Sequence, residues 1–101
     1  MELGTKMLGA DMIIRPSEAR IDASVAIAFK DRMREATRDA PGRVILDLGT
    51  VEFVDSSGLG AIVAAMKQLD SGKALELADL QPAVAKVFRL TRMDRVFPIH
   101  D

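Results

Sequence analysis

Three stretches of helical periodicity, separated by short apolar runs, confine this chain to a layered arrangement of strands and helices. In the first, Val25, Phe29, Met33 and Ala36 recur at the helical spacing, with Lys30, Arg32, Arg34 and Glu35 turned toward water. Asp22 or Ser24 can cap that helix, which runs to about Asp39 before Pro41-Gly42 stops it. Leu59, Ile62, Val63, Met66 and Leu69 form a second stripe, on a helix starting around Ser57 and ending near Asp70, ahead of Ser71-Gly72. Val84, Val87 and Phe88 point inward from a third helix. Pro82 fits its first turn, where a missing N–H costs nothing.

The runs between them read as strands. From Arg43 to Leu48, Val44, Leu46 and Leu48 share one face, and Ile45 and Asp47 share the other. Asp47 implies that this second face meets water. Gly49-Thr50 breaks the strand, and Val51 to Val54 runs on toward the next helix. Ala74 to Ala78 and Arg95 to Ile99 are two more strands. Near the start, Gly9-Ala10-Asp11 reads as a turn between two strands, with Met12-Ile13-Ile14 in the second. Pro16 cannot donate to a ladder, so an edge position or a bulge is expected there. The order predicts an α/β fold with right-handed crossovers: one small domain over residues 1–101, with a mixed sheet of about five strands and helices packed on it. No repeat, linker or low-complexity segment interrupts it.

A chain of 101 residues buries enough surface for one modest core. It has no cysteine, which excludes disulfides and thiolate metal sites. With 14 basic and 15 acidic residues, it lacks the basic excess of a direct nucleic-acid binder. The longest apolar stretch, Gly58 to Met66, is too short to span a membrane, and Met1-Glu2-Leu3-Gly4 lacks the regions of a signal peptide. A cytoplasmic protein without membrane insertion is expected.

The chemistry concentrates in Asp55-Ser56-Ser57-Gly58-Leu59-Gly60, where a strand becomes a helix. A first helical turn has free N–H groups and a partial positive charge, so a phosphate there is held by donors and favoured by the dipole. Glycines at 58 and 60 remove side chains that would shield the serines from an approaching protein. Residue types alone leave a second reading open, in which a serine is only a helix cap and the glycines only ease packing.

Other constellations are weaker. Gly58-Leu59-Gly60-Ala61-Ile62-Val63 half-matches a dinucleotide fingerprint, with Asp79 near the place of its ribose acid, but Val63 stands where a small residue belongs. Ser56 has Val54 where a hydrolase elbow needs glycine, and the only histidine is His100. Gly72-Lys73 lacks the upstream glycine of a phosphate loop. Asp22, Asp47 and Asp55 lack the spacing of a metal cluster and read better as a cap, a strand residue facing water and a residue orienting the loop. Met66 and Met93 fill core gaps or meet a partner. Neither an enzyme, a cofactor nor a metal is expected.

Val44-Ile45-Leu46-Asp47-Leu48, followed by Val51-Glu52-Phe53-Val54-Asp55-Ser56-Ser57-Gly58-Leu59-Gly60, resembles the signature of the STAS family, in particular the bacterial anti-sigma factor antagonists. The likeness extends to Leu80-Gln81-Pro82-Ala83-Val84 and to the segment from Leu90 to Ile99, and covers roughly residues 12–101. It implies a binding module in partner switching. An anti-sigma factor with serine kinase activity phosphorylates the second serine of the pair, here Ser57, with Ser56 second; a serine phosphatase resets it. The unmodified form binds the anti-sigma factor and frees the sigma factor. The implied partner surface is Asp22, Asp55, Ser56, Ser57, Gly58, Leu59 and Gly60. The alternative is a non-catalytic STAS subunit of a lipid-transport or stress-signalling complex, never phosphorylated. This chain departs from the family pattern in having no glycine before Ile21-Asp22 and in carrying Arg92 where many members have glycine. The family also commonly adds a helix after the last strand, whereas this chain ends at Asp101.

Overall fold

The computed structural model describes residues 1–69 and 73–100. Its first two strands, β1 (Leu3–Leu8) and β2 (Asp11–Pro16), form an antiparallel hairpin from Leu3↔Pro16 to Leu8↔Asp11. Gly9 turns it with φ +62, a conformation glycine adopts without steric cost. β4 (Val44–Asp47) lies parallel to both β2 and β6 (Leu75–Ala78), and β7 (Ile99–His100) lies parallel to β6. The sheet order is β1-β2-β4-β6-β7, so the expected mixed five-stranded sheet is present.

Each parallel strand is added on the same side of the last, and each crossover carries one helix: α1 (Ala26–Thr37), α2 (Ser56–Lys67) and α3 (Pro82–Leu90). Right-handed crossovers that always step the same way put all the helices on one face. That face holds the core. Ile14, Leu46 and Leu77 stand in one register row across three strands and are fully buried. Phe29, Met33, Ile62 and Phe88 cover them from the helices, and Phe97 packs edge-on against Phe88 with ring centroids 6.0 Å apart.

The opposite face carries charge. Arg15 reaches Asp47 at 2.7 Å, and Arg43 bridges Asp11 at 2.7 Å and Glu76 at 3.0 Å. Asp47 therefore does not face water: it is only 8% exposed, sealed by Arg15 and by the Gly49 N–H at 2.9 Å.

Pro16 also departs from expectation. β2 is an inner strand without a bulge at this point. Its ladder with β4 stops at Ile14, and the neighbouring Ser17 N–H points the other way, to the Glu2 carbonyl. Pro16 thus presents its missing donor where no rung exists.

Two short strands were absent from the pattern. β3 (Arg20–Ile21) and β5 (Phe53–Val54) pair in parallel as a separate ribbon, with Arg20 opposite Phe53 and Ile21 opposite Val54. The last strand is also shorter than the expected Arg95–Ile99. Met93–Arg95 forms a 3₁₀ turn instead, and only Ile99–His100 pairs. α2 ends at Lys67 with Gln68 as its C-cap, three residues short of the expected end near Asp70, while Ser71-Gly72 and Asp101 lie outside the described residues.

Candidate functional site

The β3–β5 ribbon sets the frame. Both strands leave it one residue after their last rung, β3 into Asp22 and β5 into Asp55. Asp55 is extended at φ -96, ψ -175 and is the N-cap of α2: its Oδ1 accepts the Gly58 N–H at 2.8 Å. Its Oδ2 accepts the Ala23 N–H at 3.2 Å, which ties the start of α2 to the turn before α1. The cap is therefore Asp55 and neither serine. α2 begins at Ser56, one residue before the expected start at Ser57.

That leaves both serines uncommitted. Ser56 and Ser57 occupy the first two helical positions, are exposed, and make no side-chain hydrogen bond among the described residues. Their backbone N–H groups sit at the positive end of the helix, where negative charge is favoured by roughly 0.3–1 kcal/mol.

Asp22 was expected to be a helix cap or a partner contact. It caps no helix, because α1 starts at Ala26 behind Val25. Instead it closes the preceding turn: Oδ1 accepts the Ser24 hydroxyl at 2.6 Å and the Ser24 N–H at 3.1 Å, and its carbonyl accepts the Val25 N–H. The Ser24 hydroxyl, with smaller help from the Ser24 N–H and Arg20, holds the Asp22 carboxyl below the usual carboxylate range, against a modest opposing effect of burial. Asp22 thus stays charged beside the serine turn.

The two glycines have different roles. A Cβ at Gly58 would lie 1.8 Å from the Ile21 carbonyl oxygen, so Gly58 is buried and lets α2 rest on β3. It is not a surface element open to a partner. Gly60 has no atom within 4 Å of a Cβ position and is exposed. Leu59 is half-buried and packs on the core edge. Met66 and Met93 pack partly buried against the core. Asp47 lies across the sheet with Arg15, apart from Asp22 and Asp55, each of which is occupied by N–H or hydroxyl donors.

Two neighbours of the serines escaped sequence reading. Arg20 stacks over Phe53, guanidinium carbon to ring centroid 4.1 Å, on the ribbon that leads into the site. They are far apart in the chain, and no local pattern links them.

The family model for the STAS domain matches residues 5–101. The chain belongs to the STAS domain family. This STAS domain is 30% identical over 92 residues to the anti-sigma F factor antagonist of Paenibacillus polymyxa, covering 89% of the chain and 78% of that protein. It is 36% identical over 58 residues to BtrV of Bordetella bronchiseptica, a candidate anti-sigma factor antagonist. That match takes in 56% of this chain and only half of the Bordetella protein. Among solved structures it superposes with a TM-score of 0.86 on a candidate anti-sigma factor antagonist of Thermotoga maritima, at 27% identity over 98% of this chain and 86% of that one. None of the helices among the described residues of the STAS domain is long and apolar enough to cross a membrane.

Proposed function

We propose that this STAS domain is a cytoplasmic anti-sigma factor antagonist, acting as a single binding unit over residues 1–101 and switched by phosphorylation of Ser57. The observation that carries the reading is the uncommitted, exposed Ser57 hydroxyl on the first turn of a helix whose cap is supplied by Asp55. A kinase can modify that hydroxyl without breaking a hydrogen bond of the fold. The relatives from Paenibacillus and Bordetella, by name, support the choice of partner.

The switch follows from charge. A phosphoserine adds about -1.5 to -2 charges at pH 7. On a docking surface that also carries Asp22 and Asp55, it adds to like charge and must lose water when the partner arrives. An uncompensated buried charge costs several kcal/mol, and each roughly 1.4 kcal/mol is tenfold in affinity. The unmodified form binds an anti-sigma factor with serine kinase activity; the modified form is released until a serine phosphatase resets it. Asp22, Asp55, Ser56, Ser57, Leu59 and Gly60 frame the surface, with Gly58 supporting it from beneath.

The test is phosphosite mapping. After incubation with ATP and the anti-sigma kinases of its own genome, the chain gains one phosphate at Ser57, and Ser57→Ala gains none. Absence of modification by all of them, with no binding to any, contradicts the reading.

A further inference from the structure

We propose that Arg20 and Phe53 form a second contact point for the same partner, one that receives a carboxylate beside an apolar side chain on the partner's surface. The inference rests on the docking reading above and deepens it.

Phe53 is a large apolar side chain left 39% exposed, and the Arg20 side chain is 60% exposed. They face each other across the ribbon as one rung, and the next rung leads directly into Asp22 and Asp55. The pair is thus continuous with the serine turn.

The chemistry of the pair selects its complement. A cation over a ring face is attracted by the ring quadrupole, which holds the guanidinium over the Phe53 ring. Among the described residues, the polar contact of that guanidinium is Nε to Asp22 at 3.4 Å. The terminal nitrogens keep their donors, and their planar fork matches a carboxylate. A supported arginine beside an aromatic ring is also the composition that concentrates binding energy in interfaces.

The switch fixes the sign. A partner carboxylate opposite Arg20 sits on the ribbon that leads into the serine turn, and phosphate on Ser57 adds like charge to that same surface. A basic partner group there would be attracted by the phosphate, and modification would tighten the complex instead of releasing it.

The experiment titrates the full chain, unmodified, into the anti-sigma factor that binds it, by calorimetry, alongside R20E, R20K, F53A and S57D. R20E and F53A are expected to weaken binding about tenfold or more, with R20K intermediate, and R20E to lower the unfolding midpoint only by the small amount that loss of an exposed ion pair and one cation–π contact brings. Should F53A fold poorly, R20E on its exposed side chain decides the matter. Wild-type affinity in R20E and F53A, while S57D loses binding, overturns this proposal and leaves the docking reading standing. Tighter binding by R20E also overturns it, since a base would then face the site. If wild type binds none of its genome's anti-sigma factors, the docking reading itself falls, and this contact with it.

Discussion

At Gly58 a Cβ would press to 1.8 Å from the Ile21 carbonyl oxygen, a backbone atom that cannot swing aside. Gly58→Ala is therefore expected to cost about 2–3 kcal/mol or more, as overpacking does, and to tilt the serine turn off the ribbon. Gly60→Ala meets no atom within 4 Å and removes a flexible residue from a helix interior, so it is expected to stabilise by about 0.5–1 kcal/mol. Chemical denaturation of the two variants separates them: the same substitution, two residues apart, moves the midpoint in opposite directions. Arg92 gives a third residue-scale outcome. It departs from the glycine common in the family, and it holds φ 61, where a side chain costs about 1–2 kcal/mol. Arg92→Gly relieves that strain but adds chain entropy to the unfolded state, leaving an expected net gain of about 0.5 kcal/mol in the same assay. The motif residues were legible one by one. Their division of labour was not. Asp, Ser and Ser are all good caps by type, and only the geometry shows that Asp55 holds the Gly58 N–H and frees both hydroxyls.

Among the elements, β4 and β6 were readable because each lies in the middle of the sheet and carries a full apolar row. The two-residue strands β3 and β5 are too short to show a period, and their rungs join residues distant in the chain. The start of α1 departs from the sequence pattern for a related reason. Asp22 and Ser24 have the right side chains for a cap, but they satisfy each other in a turn three residues earlier. At the other end, Val96 and Phe97 look like strand, and Phe97 is indeed buried; it plugs the core against Phe88 from a turn, not from a ladder. The β2–β4 junction carries a pH dependence. Burial pushes the Asp47 carboxyl up, but the Arg15 guanidinium and the Gly49 N–H outweigh it and hold the carboxyl below the ordinary range. The folded form therefore binds this proton more weakly than the unfolded chain. The stabilisation is complete above the ordinary carboxylate pKa, about 3.9, and is lost as pH falls through the lower folded value. Urea midpoints measured from pH 7 down to pH 3 are expected to drop at the acid end. In Asp47→Asn the drop is expected to be shallower, because that carboxylate no longer contributes.

At the scale of the molecule, parallel sheets are usually covered on both faces. This one is covered on one, because every crossover steps the same way. The bare face is closed by polar side chains instead: Arg15 with Asp47, Arg43 between Asp11 and Glu76, and a His100 contact on Glu76. The alternation of strand and helix made the order of elements legible, and with it the position of the serine turn at a strand-to-helix junction. The separate ribbon and the open face were not legible, since both depend on how distant segments meet. The ribbon, tied through Asp55 to the turn before α1, presents the serines at the start of α2. The most direct test of the central claim is the affinity of the anti-sigma factor for the unmodified chain and for the chain phosphorylated at Ser57, measured by calorimetry under one set of conditions. The account predicts that the phosphate weakens binding by about a hundredfold or more, equivalent to roughly 2.7 kcal/mol. Equal affinity for the two forms would contradict it.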